Sequence, residues 1–162
     1  MEKYIQAFID VAHNVFKEML NTDIEAQRPY FTDRHANSNW DISGVIGLTG
    51  EVSGAFVISM EKNLAVKFIQ ILTGSDSDYF SDDDVADGIG EIANIIAGNV
   101  KQNLEQECRL VISLPTVICG TGHTIQWPHG NTNIICIPFK IFHKSIFYLS
   151  VAIKARGSTV NV

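Results

Sequence analysis

The sequence predicts an α+β domain in which helices pack on a largely antiparallel sheet. Apolar residues recur at the i, i+3, i+4, i+7 spacing of one-sided helices over residues 2–20, 62–73 and 82–106. Short runs rich in β-branched and aromatic residues follow and separate them, joined across brief turns in the manner of hairpins. Hydrophobic residues make up 46% of the 162, which suits one core of ordinary size. The expected organisation is one domain over residues 1–155 with a frayed tail, RGSTVNV, over 156–162.

In the first helix, Ile5, Phe8, Ile9, Ala12, Val15, Phe16, Met19 and Leu20 share one side. A polar stretch containing Pro29 and TDRHANSNWD leads to DISGVIGLTG and SGAFVISM, two strands turning at Gly50-Glu51. Residues 62–73 resume helical spacing with Leu64, Ala65, Phe68, Ile69 and Leu72, and Gly74 supplies the stop. SDSDYFSDDD is a solvated acidic link whose end sets a Ser81 cap and three aspartates at the next helix start, where orphan N–H groups and the helix dipole favour them. That role accounts for the aspartate run without a cation. After the long third helix come RLVISLPTVICG, a short strand HTIQW, then NIICIPFK and SIFYLSVAIK as a hairpin around Phe142-His143-Lys144. VAHNVF at 11–16 faintly echoes EIANII at 91–96, with Asn14 matching Asn94 and Val11 standing where Glu91 does.

A net charge of −6 with scattered Lys and Arg disfavours nucleic acid and anionic membrane surfaces as partners. No run reaches the roughly 18 apolar residues of a membrane span, and Glu2, Lys3, Gln6 and Asp10 interrupt any signal-like stretch, so the expected location is the cytoplasm. Cys108, Cys119 and Cys136 are odd in number and sit in apolar contexts, the pattern of reduced buried thiols. Cys119, His123, His129 and Cys136 lack metal-ligand spacing, and the neighbouring Gly and Pro residues mark turns, so no metal is expected.

On the third helix Val85, Ile89, Ile92, Ile96, Val100 and Leu104 cluster in one sector at about 100° per residue. Asp87, Glu91, Asn94 and Gly98 fall on the opposite side. Any one of the three polar residues is ordinary on a solvated face. Three glycines within eleven positions, Gly88, Gly90 and Gly98, are not, because each costs a helix about 1 kcal/mol relative to alanine. Such losses suit close approach by another backbone, and at the exposed Gly98 that backbone belongs to a partner. No cleft is implied around Asp87 and Glu91 to make them an acid and base pair. An asparagine that holds water beside a glutamate that meets a partner's lysine needs no cleft, since the partner completes the site.

Asp87-x3-Glu91-x2-Asn94, followed by 20 residues and Pro115, resembles the acid-or-serine, ExxN and distal-proline signature of the CheC/CheX/FliY chemotaxis phosphatase family. LTGEVSGAFVIS, GEIANIIAGNVK, ISLPTVICG, NIICIPFK and FYLSVAIK resemble its CheX branch in the same order, over residues 3–154. The resemblance implies hydrolysis of the aspartyl phosphate of a CheY-type response regulator. Asn94 would position the attacking water, and Glu91 would contact the regulator's lysine. Asp87, at the position that is acid or serine in the family, and Gly98 would serve partner binding. The Mg2+ belongs to the regulator, with no cofactor bound by this chain. CheC-like members carry two ExxN helices, whereas VAHN lacks the acid, so one site per chain is implied. A homodimer formed by strand pairing is also implied, with NIICIPFK offering an apolar edge. The alternative is a non-catalytic module that binds or sequesters a response regulator, or a family domain serving a different receiver protein.

Overall fold

The computed structural model describes residues 2–32, 40–127 and 133–155. Helix α1 spans Glu2–Leu20, followed by strands β1 (Glu25–Ala26) and β2 (Tyr30–Thr32) and the hairpin β3 (Ile42–Gly50) with β4 (Val52–Met60). Helices α2 (Lys62–Thr73) and α3 (Asp82–Leu104) come next, then β5 (Leu110–Ile112), β6 (Thr116–Cys119) and the hairpin β7 (Ile134–Ile141) with β8 (Ser145–Ala155). The fold is therefore α+β as the sequence predicts. The strands form one sheet in the order β1-β7-β8-β4-β3-β5, with β2 beside β1 on β7 and β6 beside β5 on β3. Every pairing is antiparallel.

Alternation along the strands decides which side chains meet the helices. Ile42, Ile46 and Leu48 of β3, Phe56 and Ile58 of β4, Phe139 of β7 and Phe147 of β8 are all buried. They join Phe8 and Phe16 of α1 and Phe68 of α2 in one core. Phe147 stacks on Phe139 and on Phe16, at centroid distances of 5.1 and 4.6 Å, which ties the sheet centre to α1. The other side of the sheet carries Ser43 and Ser59, which pair at 2.7 Å across β3 and β4.

The order helix, edge pair, hairpin occurs twice: α1, β1/β2, β3-β4, then α3, β5/β6, β7-β8. The halves exchange edges, since β1/β2 pair with β7 and β5/β6 with β3, while β4 and β8 meet at the centre. Pro29 directly precedes β2 as Pro115 directly precedes β6. The echo between α1 and α3 thus has a counterpart in topology.

Three sequence expectations need correction. Residues 123–127 form no strand: Gly120 and Gly122 adopt positive φ and donate backbone hydrogen bonds to the Asp41 and Trp40 carbonyls. His123 then bridges the Gly120 carbonyl and the Ser43 hydroxyl, both at 2.7 Å, so side-chain anchoring replaces a ladder. NIICIPFK is no edge, because β7 lies between β8 and the β1/β2 pair. Cys108 and Cys136 are buried free thiols, but Cys119 is exposed. The expected tail, residues 156–162, lies outside the described residues.

Candidate active site on helix α3

Helix α3 begins where its sequence says it should. The Ser81 hydroxyl accepts from the Asp84 N–H at 3.1 Å and the Asp84 carboxylate accepts from the Ser81 N–H at 3.0 Å, a reciprocal capping box. The Ser81 hydroxyl also donates to the Asp84 carboxylate at 2.6 Å, and this bond first, then the one from the Ser81 N–H, holds the Asp84 carboxyl below the usual aspartate range. With its start fixed, the phase of the helix is fixed, and Val85, Ile89, Ile92, Ile96, Val100 and Leu104 are all buried. The helix rides close on β3 because Gly44 lacks a side chain there. A Cβ at Gly44 would stand 3.2 Å from that of Ala93.

The opposite sector presents Asp87 and Glu91 exposed, with Asn94 and Gly98 half-buried. Among the described residues, none of the Asp87, Glu91 or Asn94 side chains takes a hydrogen-bond partner. Asp82, Asp83, Asp84, Asp87 and Glu91 make the first half of the helix acidic, and its one basic residue, Lys101, comes in the last turn. A cavity of about 290 Å3 at the N-terminal end of α3 is lined by Asp41, Lys62, Asp82 and Cys119 and includes none of the stripe. The stripe therefore offers an amide and carboxylates to whatever docks.

The three glycines of α3 separate by their neighbours. At Gly88 a Cβ would collide with the Ile69 side chain of α2, so that glycine lets two helices pack. At Gly90 a Cβ would stand 3.3 Å from Val117 and 3.7 Å from Pro115, so that one admits the start of β6. At Gly98 it would meet nothing within 4 Å. Nothing among the described residues explains Gly98.

Twenty residues separate Pro115 from Asn94 in sequence, yet Pro115 packs at Gly90, one helical turn before Asn94. Its loop is held by Ser113, whose N–H donates to the Gly47 carbonyl at 2.9 Å and whose hydroxyl accepts from the Gly47 N–H at 2.8 Å. The same hydroxyl donates to the Leu114 carbonyl at 2.8 Å. Sequence reasoning did not assign Leu114, which is 86% exposed.

Helix α1 shows what the α3 face lacks. Val11 is 2% exposed and belongs to the core, so matching VAHN to EIAN letter by letter puts the two helices out of phase. Matched by burial, the α1 stripe reads Gln6, Asp10, His13 and Lys17 against Asp87, Glu91, Asn94 and Gly98. Lys17 stands where Gly98 does and reaches the Asp23 carboxylate at 3.0 Å. The first helix offers no bare position.

Of the four residues weighed as a metal set, the three described ones do not gather. Cys119 ends β6 on one side of the sheet and Cys136 lies on β7 toward the other, His123 is bonded as above, and His129 lies outside the described residues. Among the described residues no group of three or more His, Cys, Asp or Glu could hold a metal ion. Partial burial, followed by the nearby Asp82 carboxylate, pushes the Cys119 thiol up, away from the reactive thiolate form. Among the described residues no helix is long and apolar enough to cross a membrane.

Residues 42–140 match the profile of the family described as chemotaxis phosphatase CheX. The CheY-P phosphatase CheX of Thermotoga maritima is 26% identical over 157 residues, covering 96% of this chain and 98% of that protein. The crystal structure of the chemotaxis protein CheX of Desulfovibrio desulfuricans superposes with a TM-score of 0.83 at 27% identity, covering 94% and 99% of the two chains. A CheX from Borrelia burgdorferi, solved as a CheX-CheY-BeF3-Mg2+ complex, superposes with a TM-score of 0.78 at 27% identity, covering 93% and 97%.

Proposed function

This chain belongs to the chemotaxis phosphatase CheX family, and on that premise we propose that it hydrolyses the aspartyl phosphate of a CheY-type response regulator in the cytoplasm. The observation that carries the reading is a helix face kept bare at Gly98 beside Glu91 and Asn94, whose side chains have no partner among the described residues. Regulators of this type are doubly wound α/β folds whose active crevice lies beyond the carboxyl ends of the strands. A helix with a low profile and unspent polar groups suits insertion there.

In the proposed reaction, water attacks phosphorus in line with the aspartyl oxygen. A new oxygen–phosphorus bond forms, the bond to the aspartyl oxygen breaks, and carboxylate and inorganic phosphate leave. The Asn94 amide oxygen accepts a hydrogen bond from that water and aims its lone pair, the water's protons stay with the inorganic phosphate, and the carboxylate leaves without needing an acid. Glu91 accepts from the regulator's lysine and fixes the docking register. Asp87 borders the contact and Gly98 lets the backbones close. The Mg2+ that neutralises phosphoryl charge is the regulator's own in this reading, which the presence of Mg2+ in the Borrelia CheX complex with CheY supports, and this chain supplies position and charge. The whole apparatus lies within a single domain over residues 1–155.

The test is loss of phosphate from phosphorylated CheY-type regulators mixed with the purified protein. A rate no faster than spontaneous hydrolysis with any of them sinks the reading. In the same assay Glu91→Ala is expected to raise KM and lower kcat/KM together, about tenfold, with the deficit shrinking as salt rises, because screening weakens the wild-type charge contact. A deficit indifferent to salt would remove the lysine contact from the account.

The homodimer is part of the same reading, with its edge moved. The β1/β2 edge, where Tyr30 is 46% and Phe31 71% exposed, supports sheet pairing between two copies. Sedimentation at micromolar protein is expected to give a dimer, and a monomer there removes this part.

A further inference from the structure

Resting on the docking role of α3 just proposed, we infer that Leu114 is an apolar anchor that the response regulator buries when the helix enters its phosphorylation site. Leucine at 86% exposure is the most exposed large hydrophobic residue among the described ones. It is also held in place, unlike a side chain on a loose loop. Ser113 bonds to both backbone groups of Gly47 and to the Leu114 carbonyl, and Pro115 fixes the following backbone while packing at Gly90. The entropy of presenting Leu114 is therefore largely spent in folding, which is the condition for an anchor to contribute to binding.

Its position decides what covers it. Gly90 lies about 40° round the helix from Asn94 and one turn before it, so the loop that touches Gly90 flanks the Asn94 side of the stripe. A partner that reaches Asn94 and Glu91 meets Leu114 at the rim of the same contact. The stripe alone offers charge, one amide and a glycine, and such groups give register and on-rate more than affinity. Leu114 supplies the missing apolar contact, and it calls for an apolar recess on the regulator beside its acyl phosphate. This also assigns a role to the residue just before the proline that seats the loop.

The test compares Leu114→Ser and Leu114→Met with wild type in steady-state dephosphorylation, in binding to a regulator loaded with beryllofluoride and Mg2+, and in thermal melting. Leu114→Ser is expected to raise KM and Kd about tenfold or more with kcat and melting temperature unchanged, and Leu114→Met to restore both constants to within about twofold. Unchanged KM and Kd in Leu114→Ser overturn the inference while leaving the phosphatase reading intact. A lowered melting temperature with unmoved KM assigns the side chain to folding, and a dimer that dissociates with unmoved KM assigns it to self-association; either result overturns the inference. If wild type itself neither binds nor dephosphorylates a regulator, the parent reading fails and this one falls with it.

Discussion

Asn94→Ala is expected to fold, to bind the regulator almost as wild type does, and to dephosphorylate it at least 100-fold more slowly. Its amide has no hydrogen-bond partner among the described residues, so removing it orphans no internal group. Alanine is also the better helix former, and the core side of α3 does not include position 94. Stability is thus expected to hold or rise slightly, which leaves chemistry as the thing lost. Aligning water for in-line attack is a large share of what a protein adds to phosphoryl transfer, and a factor of 100 corresponds to about 2.7 kcal/mol of barrier. Asp87→Ala is the internal control, since an exposed carboxylate at the border of the contact should matter less than either Glu91 or Asn94. Turnover kept in Asn94→Ala, with phosphate loss followed beside direct binding, would end the water-positioning role. A module that binds or sequesters the regulator without hydrolysing it would then be the better account of the helix.

The helices were legible because their apolar periodicity and their caps agree. Residues 85, 89, 92, 96, 100 and 104 specify the buried side of α3, and Ser81 with Asp84 specifies its start. The hairpins were legible for a similar local reason, turning at Gly50, with φ 116°, and at Phe142 and His143, both with positive φ. Strands β1 and β2 were not. With two and three residues they show no period, and they exist because β7 provides a ladder. The burial of β7 between neighbours is likewise a fact of topology, and its apolar run reads the same for an edge as for an interior strand. HTIQW alternates like a strand, but the ring of His123 finds Ser43 of β3, a contact 80 residues away in sequence. At the site, the phase of Asp87, Glu91, Asn94 and Gly98 was readable, whereas the unequal roles of three similar glycines depend on Ile69, on Pro115 with Val117, and on empty space.

That difference among the glycines makes Gly98 the sharpest probe of docking. A methyl group there meets nothing within 4 Å among the described residues, so Gly98→Ala is expected to gain about 1 kcal/mol of helix propensity and to raise the melting temperature by about 2–4 °C. Gly98→Leu should keep most of that gain, because leucine is nearly as good a helix former and its Cβ meets nothing within 4 Å among the described residues. If Gly98 served only the protein's own fold, both variants would be neutral or better in every assay. If the regulator's backbone closes over that position, a leucine wedges the two proteins apart, and separating a catalytic amide from its water by as little as 1 Å can lose about 100-fold in rate. Gly98→Leu is therefore expected to melt above wild type while its kcat/KM for the phosphorylated regulator falls about 100-fold, with Gly98→Ala between the two. Such opposed movements are hard to produce by misfolding, which lowers both quantities together. Melting curves and steady-state dephosphorylation on the same preparations decide it. A Gly98→Leu protein that is more stable and equally active would show that the bare face is not where the regulator sits, and would return Glu91 and Asn94 to the ordinary polar surface of an amphipathic helix.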